Sequence, residues 1–217
     1  LSILMDAKQV LASVNIADVL FDTKNRLWMG TYHGLNRYNL NSGKLRLFEH
    51  IPGDSTSLVN NDVAVIFESS DSVIWIGSWQ NGLSRYNEKQ DDFTNFYYEP
   101  GKPGSLPGKN INCITEDAKG NIWIGTSHGF CKYIPGNQSF KSYGNSEQIT
   151  GYAVFGILAD KNNKLWISTD KGLIMFDPDS EKLKLYTRKD GLQSDEFSFG
   201  AYAKGKNGLL YFGGNNG

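Results

Sequence analysis

Short runs of alternating apolar and polar residues fill this chain, each four to seven residues long and each closed by Gly, Asn, Asp or Pro. The clearest set is INCITED (111–117), IWIGT (122–126), FCKYI (130–134) and SFKSY (139–143), with AKGN, SHG and PGN as the intervening turns. No segment sustains a 3.6-residue period, so helices are not expected. The set recurs around a Trp, in LWMGTYHGLNRYN (27–39), IWIGSWQNGLSRYN (74–87), IWIGTSHGFCKYI (122–134) and LWISTDKGLIMFD (165–177). A weaker copy, LYFGGNNG (210–217), places Tyr211 at the Trp position. The intervals from Trp28 through Trp75, Trp123 and Trp166 to Tyr211 are 47, 48, 43 and 45 residues. A period in the forties with four strand-like runs per unit predicts an all-β chain of four-stranded antiparallel β-propeller blades.

In the first complete unit the pattern predicts strands A to D at 16–21, 26–31, 34–39 and 44–49. Blades are expected at 16–49, 63–98, 111–143 and 154–187, with a partial blade at 199–217. Residues 1–5 fall where strand D of an earlier blade would lie, so the arrangement reads as a piece of a larger propeller. The four Trp rings are expected between adjacent sheets. Gly30, Gly77 and Gly125, two after the Trp, allow close approach of a neighbour. Gly34, Gly82, Gly129 and Gly172 are expected to supply positive φ in the B–C hairpins. Strand A starts at Ile16, Val63, Ile111, Val154 and, counting back from Tyr211, Phe199. Two residues further on stand Asp18, Val65, Cys113, Gly156 and Ala201, mostly small, as suits strands converging on a narrow channel; Asp18 is expected to face channel water.

The 217 residues include 24 Gly and only 21% charged side chains, which suits a turn-rich β protein. Lys+Arg (22) nearly balances Asp+Glu (23) without a basic run, so this segment lacks the footprint of a nucleic-acid binder. No apolar stretch approaches the roughly 18 residues of a membrane span, and no signal peptide is visible. Any membrane attachment is expected from a segment outside this chain. Cys113 and Cys131 fall on strands A and C of one blade. With a strand between them their Cα atoms stand about 10 Å apart, too far for a disulfide. No Cys/His cluster suggests a metal, and no motif asks for a cofactor.

The phrase D-x-x-G-x-[LI]-W-[IV]-G-T-x-x-G-[LI]-x-[RK]-[YF] resembles the two-component regulator propeller repeat. The linker DSTSLVNNDV (54–63), and more loosely GSLPGKNI (104–111), strengthen the resemblance, which covers 16–217. Residues 191–217 resemble the last blade of such a sensor. The resemblance implies part of a seven-bladed propeller in the periplasmic sensor of a hybrid two-component system. In the family such propellers precede an immunoglobulin-like domain, a membrane helix and a histidine kinase, and they act as homodimers. It also implies a ligand such as a carbohydrate breakdown product.

On a repeating scaffold, function is written where the copies disagree. Here they disagree at the B–C tips: Tyr32-His33, Trp79-Gln80-Asn81, Ser127-His128, Asp170-Lys171 and Asn215-Asn216. The expected ligand-binding set is Tyr32, His33, Trp79, Gln80, Asn81, His128 and Lys171, suited to an oligosaccharide or other small ligand. Trp79, outside the repeat, reads either as a stacking platform or interface anchor, or as a ring folded over the next blade. His33 and His128 read either as a general base or as polar residues filling a solvated turn. No nucleophile elbow, phosphate loop or paired-carboxylate motif appears, so no catalytic residue is assigned. A protein-binding propeller and a streptogramin-lyase-like enzyme stand as the alternatives.

Overall fold

The computed structural model describes residue 13, residues 15–143, residue 149 and residues 151–215. The strand expected at 1–5 and the tip residue Asn216 lie outside these. The described residues form antiparallel strands throughout, apart from two single turns of 3-10 helix at Pro135–Asn137 and Arg188–Asp190. The first sheet contains β1 (Ile16–Phe21), β2 (Arg26–Thr31), β3 (Gly34–Asn39) and β4 (Lys44–Phe48) in sequence order. The second contains β5 (Val63–Glu68), β6 (Ile74–Ser78), β7 (Leu83–Asn87) and β8 (Asp92–Phe96). The third contains β9 (Ile111–Glu116), β10 (Ile122–Thr126), β11 (Gly129–Ile134) and β12 (Ser139–Ser142). The fourth contains β13 (Val154–Ala159), β14 (Leu165–Thr169), β15 (Gly172–Asp177) and β16 (Lys182–Tyr186), followed by a two-stranded sheet of β17 (Phe197–Lys204) and β18 (Leu210–Gly214). The chain divides into two compact units, 1–96 with the first two sheets and 97–217 with the rest.

Within each unit a Trp is packed between its own sheet and strand C of the next. Trp28 meets Tyr86 edge-on at 5.1 Å, and Trp123 meets Phe176 edge-on at 5.6 Å. Both indoles are fully buried. Trp166 departs from expectation by being only half-buried. It stacks on Tyr186 of its own sheet, but the two-stranded sheet that follows brings no strand-C aromatic to close over it. Close approach explains the glycine after the Trp: a Cβ on Gly30 would stand 2.5 Å from Val63 Cγ1, and one on Gly125 2.5 Å from Val154 Cγ1. The hairpin glycines Gly34, Gly82, Gly129 and Gly172 all have positive φ, between 95° and 135°.

An aspartate six residues before the Trp joins turn to core. Asp22 Oδ1 accepts the Lys24 and Arg26 amides of the A–B turn, while Oδ2 accepts the Trp28 indole N–H at 2.7 Å. Asp117 does the same for Lys119, Asn121 and Trp123, and Asp160 for Asn162, Lys164 and Trp166. Burial would raise these carboxyls, but the donors outweigh it and leave all three below the usual carboxylate range. Such a group stabilises the fold fully above its unfolded pKa and loses the contribution as pH falls through its folded value. Stability should therefore decline below the unfolded aspartate value of about 3.9. Denaturant titrations between neutral and strongly acidic pH check this; a midpoint unchanged across that window would contradict it.

Strand A carries a bulge in each four-stranded sheet, between Ile16 and Asp18, Val63 and Val65, Ile111 and Cys113, and Val154 and Gly156. Strand A is also the edge of its sheet, which leaves alternate amides outside the ladder, and side chains of the preceding sheet meet some of these. Asp18, expected to face channel water, instead accepts the Ile66 amide at 2.7 Å and its neighbour Val19 at 2.8 Å. Burial nonetheless raises its carboxyl against these two donors. At the equivalent position the Cys113 thiol accepts the Ile157 and Gly125 amides, and burial pushes it up to about 12. Cys113 and Cys131 are both buried and unlinked, on β9 and β11 with β10 between them.

The last strand A starts at Phe197, not Phe199. Phe197 pairs with Gly214, three after Tyr211, as Val154 pairs with Thr169, three after Trp166. Counting twelve back from Tyr211 misses it because this bulge holds two extra residues, with Gly200 at φ 70° absorbing the excursion. Phe199 is consequently exposed while Phe197 is buried.

Candidate functional site

The D–A linkers and B–C turns are tied together by the backbone, and this builds the face that carries the variable residues. Five residues before strand A each linker has an apolar residue: Leu58, Leu106, Ile149 and Leu192. The first three are almost completely buried. Each of these anchors holds the residues that follow it against the turns. In the first unit Asn61 O accepts the Gly34 amide at 2.8 Å, and Asp62 O accepts the Trp79 amide at 3.0 Å. Asn61 Oδ1 also accepts the His50 amide, and His50 Nδ1 lies 2.8 Å from Leu58 O, which gives that histidine a linker-bracing role. In the second unit Tyr152 O accepts the Gly129 amide at 2.7 Å, and Ala153 exchanges two hydrogen bonds with Asp170.

The turns themselves are locked by a hydroxyl three residues after the Trp. Thr31, Thr126 and Thr169 Oγ1 each donate to the carbonyl of the hairpin glycine and accept the amide of His33, His128 and Lys171 respectively. Ser78 Oγ donates to Gly82 O and also lies against Gln80 O. The Thr126 hydroxyl is buried, so Thr126→Val removes both bonds at constant shape. It should cost about 1–2 kcal/mol, read as a lower unfolding midpoint; an unchanged midpoint would show that the lock contributes nothing.

The sequence-expected residues fall into two groups, one per unit. In the first, Tyr32 and His33 are exposed at the β2–β3 turn, and Gln80 and Asn81 are exposed at the β6–β7 turn. Trp79 is half-buried, with its indole nitrogen shielded from solvent. Asn81 is the extra residue of the longer turn and takes φ 74°, so its position there serves the backbone. The linker residues Asn61 and Asp62 connect these two turns. In the second unit His128 and Lys171 are both exposed, and the linker connecting their turns supplies Tyr152. Lys171 Nζ lies 4.7 Å over the Tyr152 ring, and His128 Nδ1 lies 3.0 Å from Ser127 Oγ. Tyr152 was missed by motif reading because its linker lacks the S-L pattern; it sits three after Ile149, where Asn61 sits three after Leu58.

None of the expected residues lines the clefts at the outer strands. One of about 300 Å³ lies among Arg46, Phe48, Asp54, Leu58 and Phe93, and another of about 380 Å³ among Tyr98, Pro103, Pro107 and Phe140. Among the described residues no group of three or more His, Cys, Asp or Glu is placed to hold a metal ion. No helix among them is long and apolar enough to cross a membrane.

Residues 105–128, from the third-blade linker through strands A and B to the His128 turn, match the model of the two component regulator propeller family. No characterised protein matches the chain by sequence alone. Solved structures share the fold. The extracellular domain of a protein from B. thetaiotaomicron described as a one component system superposes with a TM-score of 0.76 at 22% identity, over 98% of this chain and 28% of that one. The extracellular domain of a B. thetaiotaomicron hybrid two component system gives 0.53 at 20% identity, over 97% of this chain and 33% of that one. Virginiamycin B lyase from Staphylococcus aureus gives 0.67 at 17% identity, over 94% of this chain and 67% of that one. The chain thus spans about a third or less of the two B. thetaiotaomicron structures. Residues 105–128, which hold the third of the four phrases that recur around Trp28, Trp75, Trp123 and Trp166, are thus similar to the two component regulator propeller repeat.

Proposed function

We propose that this chain is part of an extracytoplasmic ligand-sensing propeller of a two-component signalling protein. Its loop face takes a carbohydrate breakdown product, and occupancy is passed to a histidine kinase through a periplasmic homodimer. The observation that carries this reading is the bonded row of linkers and turns, which holds chemically varied side chains on an otherwise repeated scaffold. In the first unit the rings of Tyr32 and Trp79, and separately in the second that of Tyr152, suit the apolar face of a pyranose, and the amides and imidazoles of the same turns suit its hydroxyls. The two component regulator repeat and the shared fold with extracellular domains of such systems support the signalling role. Stiff blades favour rigid-body reorientation on binding, which works only through the ligand's differential affinity for two states.

Thermal-shift and titration measurements with a panel of neutral and acidic oligosaccharides, made on the intact protein, test the reading. At least one should raise the unfolding midpoint, and Trp79→Ala should weaken that binding by about 1–3 kcal/mol. Unchanged affinity would remove Trp79 from the site, and a panel without a binder would remove the carbohydrate. The lyase fold gives an enzyme reading one foothold. Here His128 contacts the Ser127 hydroxyl and His50 the Leu58 carbonyl, and among the described residues neither histidine forms an ion pair with a carboxylate that would hold it as a base. Conversion of a streptogramin lactone by the purified protein would reverse that judgement.

A further inference from the structure

We propose that the loop face of the second unit is a subsite for the carboxylate of an acidic sugar, bound by Lys171 and His128 beside the Tyr152 ring. This rests on the carbohydrate reading above and narrows it. The backbone fixes the arrangement: Gly129 N donates to Tyr152 O, and Ala153 and Asp170 bond reciprocally, so the His128 turn, the linker and the Lys171 turn stand side by side. Lys24, Lys102, Lys119, Lys141 and Lys164 each pair with a carboxylate, whereas Lys171 lies over the Tyr152 ring. Lys132 and Lys184 also lie over rings, of Trp123 and Tyr186, but they belong to strands β11 and β16 and not to a turn of the loop face. The nearby Asp170 carboxylate has one oxygen committed to the Ala153 amide. A cation held over a ring stays close to where a sugar would stack, and exchanges that contact for an ion pair when a carboxylate arrives. With Nδ1 facing Ser127, His128 has Nε2 left for the ligand. The first unit has no such centre, since its matching tip positions carry His33 and Gln80.

The test is calorimetric titration of the intact protein with uronate-containing oligosaccharides, each paired with its carboxyl-reduced neutral counterpart. The acidic member should bind about tenfold more tightly, the ratio a charge-assisted hydrogen bond supplies. Lys171→Gln should bring the two affinities together, and Lys171→Arg should keep the preference. The side chain is exposed, so the Gln variant should retain the parent's unfolding midpoint. Equal affinity for the two members, or a preference that survives Lys171→Gln, overturns the subsite and leaves the carbohydrate reading standing. Binding of neither member overturns both.

Discussion

Asp117→Ala should lower the unfolding free energy of the protein by about 2–4 kcal/mol, since each buried donor left unsatisfied costs about 1–3 kcal/mol. The carboxylate accepts the indole N–H of a fully buried Trp123 at 2.9 Å and, through its other oxygen, the amides of Lys119 and Asn121. Alanine leaves the indole donor with no acceptor in a packed interior and frees the turn. Asp117→Asn should fall between, because an amide keeps one acceptor oxygen and turns donors towards one of the two sets. The Asn variant should also show a weaker loss of stability on acidification, as the depressed carboxyl is gone. Chemical denaturation across pH measures all three proteins. An alanine variant as stable as the parent would mean that water replaces the carboxylate.

Gly34→Ala should be the other severe change, at about 2–5 kcal/mol, because left-handed backbone costs an L residue about 1–2 kcal/mol and overpacking adds about 1–3. Gly34 has φ 117°, and a Cβ there would stand 2.6 Å from the Phe48 carbonyl oxygen, a backbone atom that cannot rotate away. Gly53 provides the control. Its φ is 87° with nothing within 4 Å of a built Cβ, so Gly53→Ala should cost only the conformational part. Similar losses at both positions would show that backbone geometry alone, without the steric contact, sets the requirement for glycine.

The strands were legible because two constraints coincide in this sequence. Alternation marks each run, and the Trp returns at nearly constant intervals, so β1, β2, β3 and β10 fall where the pattern places them. Register inside strand A was not legible, since a bulge alters the count without altering the composition, and counting back from Tyr211 reaches Phe199 where the strand starts at Phe197. The aspartate at six before the Trp and the hydroxyl at three after it were visible as letters. Their roles emerge only when the indole and the hairpin carbonyl are in place. The second blade shows how loosely the first is required, for Ser69 replaces the aspartate there and bonds Asp71 and the Val73 carbonyl instead. Tyr152 was hidden for a different reason. It belongs to a linker, where only the buried Ile149 repeats, and its closeness to Lys171 depends on the fold.

The linker anchor has a consequence for how such a chain can grow. The family match at residues 105–128 starts in the linker and ends at the B–C turn, so the inherited sequence module is offset from the four-stranded blade. In the first unit the same frame takes in Leu58, which lies in one core with Trp28 of the blade before it, and Asn61, which holds that blade's turn. A module copied in this frame therefore brings its own inner strands together with the fastener for its predecessor. Recombination between copies can add or remove units without producing a junction that lacks its clamp. A cut at the edge of the blade would separate the two.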